Sequence, residues 1–369
     1  MIIIFLGVLK FAHLVDWNLP YVTLKSYVQY QNQVKSFNDF NNEEKIIQTK
    51  VHTDNDVIVI ILGESATRKH MGIYGYPRET TPNLNRRSDS LIVYRNVISS
   101  HVYTTESIYD ILTLSNYERP QASNSLLDYL KNSGYKVYWL SNQRPVGFHD
   151  NLVSRLASAA DESFFLSYND FRHVTLLDEV LLPKLNDRLS HHGKKVIFIH
   201  LIGNHYAYDK RYPEQFAKFT SEEMNKKNKF IDSYDNSILY NDFIVSEIIK
   251  AVDLKAQKSA VIYLSDHGEE VYDIADFFGH FADKPTSSMY EVPFLVFMSE
   301  TFQKPDDFVI DESRAYMLDD FPHSLTHFMG IESELLDKDR SIFSASFKER
   351  KRMVHDSLQF ETFKLNENR

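Results

Sequence analysis

Three apolar stretches of this chain end in an acid or a histidine beside a glycine. Residues 57–62 run into Gly63-Glu64-Ser65, residues 260–264 into Ser265-Asp266-His267-Gly268-Glu269, and residues 195–201, which carry His200, into Gly203-Asn204-His205. Carboxylate and imidazole together make a good ligand set for zinc. Asp266 and His267 are adjacent, so in a straight strand they would face opposite ways. At a strand end that turns, both bend toward one point. Glu64 is a third ligand if its strand lies nearby in the same sheet. Glycine permits the sharp turn and leaves room for a ligand. Taken alone, Asp-His-Gly also fits a turn with a helix cap, a reading that weakens because Glu64 and His205 stand at equivalent strand ends.

A metal held by three such ligands keeps an open position, where a hydroxyl loses its proton more easily and becomes a nucleophile. The segment Ser99-Ser100-His101-Val102-Tyr103-Thr104-Thr105-Glu106-Ser107-Ile108 offers hydroxyls. It follows the apolar run 91–97 and precedes the helical pattern Ile108, Ile111, Leu112. Thr104 therefore falls at a helix N-terminus, where backbone N–H groups and the helix dipole favour an anion. Spacing alone leaves a second reading open and favours it: Thr104 or Thr105 is an N-cap. His205 and His280, the latter in Phe278-Gly279-His280-Phe281, are candidates for a second metal or for phosphate oxygens. Each by itself reads as an ordinary histidine.

Positioning these residues requires a sheet. Short apolar runs rich in β-branched residues recur at 57–62, 91–97, 136–140, 195–201, 260–264 and 292–298. Several are apolar on both faces, as central strands covered by helices are. Between them Ile231, Tyr234, Ile238, Val245, Ile248 and Val252 recur at helical spacing, and 125–131 and 170–189 also read as helices. The alternation predicts a three-layer α/β/α sandwich with the site beyond the carboxyl ends of the strands.

The 369 residues, 43% hydrophobic, suffice for one large α/β domain or two small ones. A net charge of −10 without a Lys/Arg stripe argues against nucleic acid as a partner. Cysteine is absent, which excludes disulfides, thiolate ligands and a cysteine nucleophile. The aromatic share of 14% suits a large core and also a surface near lipid headgroups. Residues 2–15 are nearly all apolar, broken by Lys10 and His13, and fall short of the roughly 20 residues that cross a bilayer. The expected organisation is a short membrane-associated segment at 1–16, the remnant of an anchor helix, then a juxtamembrane connector and linker at 17–55. A catalytic domain follows at 56–345 and a charged C-terminal helix or tail at 346–369.

Four ordered motifs resemble one family. They are Ile61-Leu62-Gly63-Glu64-Ser65-Ala66-Thr67-Arg68 with Gly75-Tyr76-Pro77-Arg78-Glu79-Thr80-Thr81-Pro82; Ile199-His200-Leu201-Ile202-Gly203-Asn204-His205 with Lys210-Arg211-Tyr212-Pro213; Tyr234-Asp235-Asn236-Ser237-Ile238-Leu239-Tyr240; and Ser265-Asp266-His267-Gly268-Glu269. In content and order, over residues 56–332, they resemble the phosphoethanolamine transferases of bacterial envelopes, in the alkaline phosphatase/sulfatase superfamily. The resemblance implies that fold, with Glu64, Asp266 and His267 as zinc ligands and Thr104 as nucleophile and fourth ligand. Thr104 is preferred to Thr105 because Thr104-x-x-Ser107-Ile108 is similar to the family's Thr-x-x-Ser-Leu/Val. One zinc ion is implied, or two, with His205 and His280 lining the phosphate or the second metal and assisting proton transfer. Asn142 and Gln143 fall where relatives carry a donor-contacting Asn, and His200 joins them as a substrate-side residue.

The implied reaction moves phosphoethanolamine from phosphatidylethanolamine, through a phospho-threonine, to lipopolysaccharide or lipooligosaccharide. The implied location is the bacterial inner membrane, with the catalytic domain facing the periplasm. Lack of cysteine resembles the branch that modifies the lipopolysaccharide core. Two other readings are a hydrolase or phosphoglycerol transferase of the same superfamily, and a non-catalytic remnant. A sulfatase-type Cys/Ser-x-Pro-x-Arg signature does not occur around Thr104.

Overall fold

The computed structural model describes residues 47–119, 125–145, 151–167, 176–221, 225–355 and 357–367. The membrane-associated segment expected at 1–16 and most of the connector lie outside them. Among the described residues no helix is long and apolar enough to cross a membrane.

Among the described residues, seven strands make one sheet: β1 (Val57–Gly63), β2 (Leu91–Val93), β3 (Lys136–Ser141), β4 (Glu162–Phe165), β5 (Lys195–His200), β6 (Ser259–Ser265) and β7 (Phe294–Met298). Their order across the sheet is β2-β7-β6-β1-β5-β3-β4. The five from β6 to β4 run parallel, while β7 is antiparallel to β6 and to β2. All seven residues of β1 are buried, which is why its sequence shows no apolar/polar alternation. Register matters most for function. Leu62 lies opposite both His200 and Leu264, and Ser141 lies opposite His200, so the carboxyl ends of β3, β5, β1 and β6 finish side by side.

The described α-helices are α1 (Pro82–Arg86), α2 (Thr104–Leu112), α3 (Leu126–Asn132), α4 (Asn151–Ser158), α5 (Leu181–Ser190), α6 (Lys226–Lys255), α7 (Phe321–Phe328) and α8 (Phe360–Glu367). One sheet face, through Val57, Val59, Ile61, Ile197, Val261 and Leu295, packs on α5 and α6. The other face meets α7, where Phe294 stands edge-on to Phe321 with ring centroids 6.2 Å apart. This is the three-layer α/β/α sandwich that the alternation of runs predicts.

Two elements differ from expectation. The run 91–97 divides: after β2 the chain leaves the sheet, and Val97–Ile98 pairs in parallel with Tyr316–Met317 instead. Of the helix expected at 170–189, residues 170–175 lie outside the described ones, and over the rest helix α5 starts at Leu181, after the tight turn Asp178–Val180, with Pro183 in its first turn, where a missing N–H costs nothing. The charged C-terminal stretch is bound into the domain. Arg350 pairs with Asp319 and Asp320, Arg352 is buried against Glu361 (2.7 Å), and Lys364 of α8 reaches Glu291 (2.5 Å).

The long loop after β1 is pinned to α6 by charge. His70, buried, meets Asp235 Oδ1 through Nδ1 (2.6 Å) and Asp273 Oδ1 through Nε2 (3.2 Å), and Arg78 donates to Asp232 and Asp235 (2.7 Å each). Burial opposes charge on the ring, but Asp235 and then Asp273 reverse it and hold the His70 pKa up at about 9. A raised pKa contributes stability that is complete below the ordinary 6.5 and lost as pH climbs through about 9. Between those two pH values the urea-unfolding free energy of the wild type should fall further than that of His70→Gln. Parallel curves would remove the charged pair from the account.

Candidate active site

Glu64 follows β1 directly, and Asp266 and His267 follow β6, the neighbouring strand. The shared register brings them together at full burial: Glu64 is 1% exposed, Asp266 and His267 0%. His267 Nε2 is 3.3 Å from Glu64 Oε1 and 3.6 Å from Asp266 Oδ2. The turn after β6 bends the two adjacent side chains to one point, as the motif requires. Thr104 is the first residue of α2. Its hydroxyl donates to Glu64 Oε2 (3.1 Å) and stands 3.4 Å from His267 Nε2. The capping position belongs to Tyr103, whose side chain makes no cap bond, so Thr104 is not an N-cap. Its hydroxyl is turned to the acids instead.

The cluster has the electrostatics of a cation site. Asp266 Oδ1 accepts N–H bonds from His267 (2.7 Å) and Ser65 (3.2 Å), while Oδ2 is buried with no hydrogen-bond partner among the described residues. Burial and then the Glu64 charge push the Asp266 carboxyl up to about 7. Burial disfavours the His267 imidazolium, yet Asp266 and then Glu64 hold its pKa up at about 10. Burial also works against Glu64, but His267 above all keeps its carboxyl well below the usual range. Two carboxylates in one dry pocket demand positive charge. His267 Nδ1–H donates to the Gly268 carbonyl (2.8 Å), which leaves Nε2 as the ligand atom. Glu64, Asp266 and His267 each offer a ligand atom within 4.8 Å of the others. The donor set and the unpartnered oxygen fit a divalent cation of the zinc type, with Thr104 at the fourth position.

A second group lies alongside. His267, Glu269 and His280 also offer ligand atoms within 4.8 Å of one another. His280 Nδ1 donates to Glu269 Oε2 (2.6 Å), and its ring centroid is 4.3 Å from that of His267. Tyr208 donates its phenol to the same Glu269. His205 is nearly buried, and burial pushes its pKa down against the pull of Glu64. Sequence reading gave Glu269 no role, although it stands in the same motif as Asp266.

The remaining candidates divide. His200 is buried under Trp139 (5.6 Å between centroids), and desolvation pushes its pKa to about 4, so it is neutral and belongs to the interior. Asn142 turns away from the cluster. Its amide donates to Leu176 O (2.8 Å) and Asp178 Oδ1 (2.9 Å), and Asp178 accepts the N–H groups of Ile202 and Gly203 (2.9 Å each). Asn142 thus steadies the loop after β5. Gln143, next in the chain, turns the other way and donates to Glu64 Oε2 (2.9 Å). Ser99 was also unforeseen. Its hydroxyl donates to the Asp266 carbonyl and lies 3.1 Å from Ser107 Oγ of α2, tying the threonine's helix to the ligand strand. Nothing in the sequence signals that contact, because it runs through a backbone carbonyl.

With this geometry in view, residues 56–331 match the family model described as Sulfatase. The chain belongs to the sulfatase family. Within it, the chain is similar to phosphoethanolamine transferases. It is 32% identical over 363 residues to phosphoethanolamine transferase EptC of Escherichia coli K12, covering 91% of this chain and 62% of that protein. It therefore spans about three-fifths of that relative's length. The crystal structure of the C-terminal periplasmic domain of E. coli EptC, in complex with Zn, aligns with a TM-score of 0.81 at 31% identity, covering 86% of this chain and 96% of that one. The soluble domain of lipooligosaccharide phosphoethanolamine transferase A from Neisseria meningitidis shares the fold, with a TM-score of 0.69 at 24% identity over 82% of this chain and 97% of that one.

Gly203 packs directly against the backbone of Glu64. It has φ +50°, and a Cβ there would stand 2.9 Å from the Glu64 carbonyl oxygen. Gly203→Ala should cost about 1–3 kcal/mol of unfolding free energy from backbone strain, read by urea titration. A variant as stable as wild type would contradict the contact.

Proposed function

We propose that this chain carries the catalytic domain of a zinc-dependent phosphoethanolamine transferase of the bacterial inner membrane, facing the periplasm. The donor is phosphatidylethanolamine and the acceptor a hydroxyl of lipopolysaccharide or lipooligosaccharide. One observation carries the reading: the Thr104 hydroxyl, at a helix N-terminus, lies 3.1 Å from Glu64 and 3.4 Å from His267 in a pocket built for a cation. Its support in kind is the similarity to EptC. Residues 1–16 supply the membrane association and 56–345 the catalytic body.

Glu64, Asp266, His267 and Thr104 would hold a zinc ion, with His205 and His280 placed for phosphate oxygens or a second ion. Bound zinc supplies Lewis-acid charge that makes the hydroxyl more acidic and offsets charge on the phosphoryl oxygens. The Thr104 hydroxyl points its proton at Glu64 Oε2, which leaves an oxygen lone pair free for the donor phosphorus, and it gives that proton up to a neighbouring imidazole as it attacks. The bond from phosphorus to the diacylglycerol oxygen breaks, and that oxygen takes a proton. Phosphoethanolamine now sits on Thr104. The acceptor hydroxyl then gives up its proton and attacks phosphorus, the bond to Thr104 Oγ1 breaks, and the threonine regains its proton. His280, anchored through Nδ1 to Glu269, keeps Nε2 for these proton exchanges, and His205 is the alternative. The N-terminal N–H groups of α2 favour the anionic intermediate.

Thr104→Ala should lower transfer by more than about a thousandfold, as loss of a nucleophile does. Peptide mass spectrometry of wild type after incubation with donor alone should find phosphoethanolamine on the 103–107 segment. A modified Thr105, or an active Thr104→Ala protein, would overturn the assignment. Chelation should abolish transfer and added Zn2+ restore it; full activity in excess chelator would exclude the metal.

A further inference from the structure

We infer that Gln143 is the positioning residue that fixes Glu64 at the metal centre, and not a contact for the donor lipid. The inference rests on the reading of Glu64 as a zinc ligand.

Glu64 has few ways to move. Ser65 Oγ donates to its Oε1 (2.8 Å), and His267 Nε2 lies 3.3 Å from that same oxygen. Its Oε2 takes two donors, the Thr104 hydroxyl (3.1 Å) and the Gln143 amide (2.9 Å). These two contacts differ in permanence. Thr104 gives up its proton when it acts as nucleophile, so its hydrogen bond vanishes at the step when the carboxylate must hold still. The Gln143 N–H has no such role and stays.

The orientation of the Gln143 amide is forced. Its nitrogen faces two groups that only accept, the Glu64 carboxylate (2.9 Å) and the Leu201 carbonyl (2.9 Å). A flipped amide would set oxygen against oxygen twice. The backbone is held as well, since the Gln143 N–H donates to Ser141 Oγ (3.0 Å). The Leu201 carbonyl is itself fixed, because the next two N–H groups, of Ile202 and Gly203, end on Asp178, which Asn142 grips. Gln143 therefore joins the ends of β3, β5 and β1 through one amide. With both N–H groups committed to protein acceptors, it has none to offer a substrate phosphate. Partners that orient a metal-ligating carboxylate typically matter by about 10–100-fold in metal affinity or activity.

Gln143→Met retains the length of the side chain and removes the donor; Gln143→Asn retains the amide but shortens its reach. Zn2+ affinity of the whole chain is measured by competition with a chromophoric chelator, with the melting temperature of the zinc-free protein as a fold control. Gln143→Met should weaken Zn2+ binding by about tenfold or more, lower kcat, leave KM for phosphatidylethanolamine within twofold, and melt like wild type without zinc. Gln143→Asn, which keeps the donor on a shorter side chain, should fall between wild type and Gln143→Met. Zinc affinity equal to wild type, with a raised donor KM, would overturn the inference and return Gln143 to the substrate. The control is Glu64→Gln. If wild type binds no Zn2+ more tightly than Glu64→Gln, the metal reading itself fails and the inference with it; if only Gln143→Met is indifferent, the inference alone fails.

Discussion

Glu64 and Asp266 are two carboxylates buried side by side, and the surrounding structure answers that cost. Like charges in a dry pocket repel, and each has lost its hydration. Short donors meet them from every side: backbone N–H groups at Asp266 Oδ1, hydroxyls of Ser65 and Thr104, the Gln143 amide and the His267 ring. One acceptor, Asp266 Oδ2, has no hydrogen bond among the described residues. A fold that tolerates such a centre needs a cation there, and the rigidity that holds the acids together is what makes the neighbouring hydroxyl useful.

That rigidity comes from the sheet. Parallel strands in register end together, so residues just past β1, β5 and β6 become neighbours however far apart they lie in the chain. The helices complete the enclosure. Helix α2 sets Thr104 at its first turn, and Ser99 and Ser107 bind that turn to the Asp266 carbonyl. Behind the loop that follows Glu64, the His70, Arg78 and Asp235 network fastens the chain to α6. The site is thus supported by charge on one side and by hydroxyl contacts on the other, with apolar packing beneath.

The neighbouring His267, Glu269 and His280 group extends the centre to a partly exposed histidine. His267 belongs to both groups, so a change at either is felt by the other. Glu269 is divided between His280 and Tyr208, which fixes the imidazole without leaving the carboxylate bare. Exposed aromatics stand beside this region: Tyr103 precedes Thr104, Tyr206 follows His205, and Phe281 follows His280.

Much was legible in the sequence, for reasons that can be named. The strand cores were visible because fully buried parallel strands must be apolar on both faces, and the acids past their ends stood out against that background. The layered class followed from the alternation of runs and helical spacing. What the chain could not disclose by itself was direction. Asn142 and Gln143 are adjacent and chemically alike, yet one faces Asp178 and the other Glu64, because successive side chains past a strand end diverge and only the packed neighbours decide which reaches what. Thr104 was a cap or a nucleophile by spacing. The fold put Tyr103 in the capping position and turned the threonine to the acids. Residue types and strand ends were determined locally, by hydrophobicity and turn chemistry. Which oxygen meets which nitrogen was decided by strand register and by where α2 begins, neither of which a local stretch of sequence fixes.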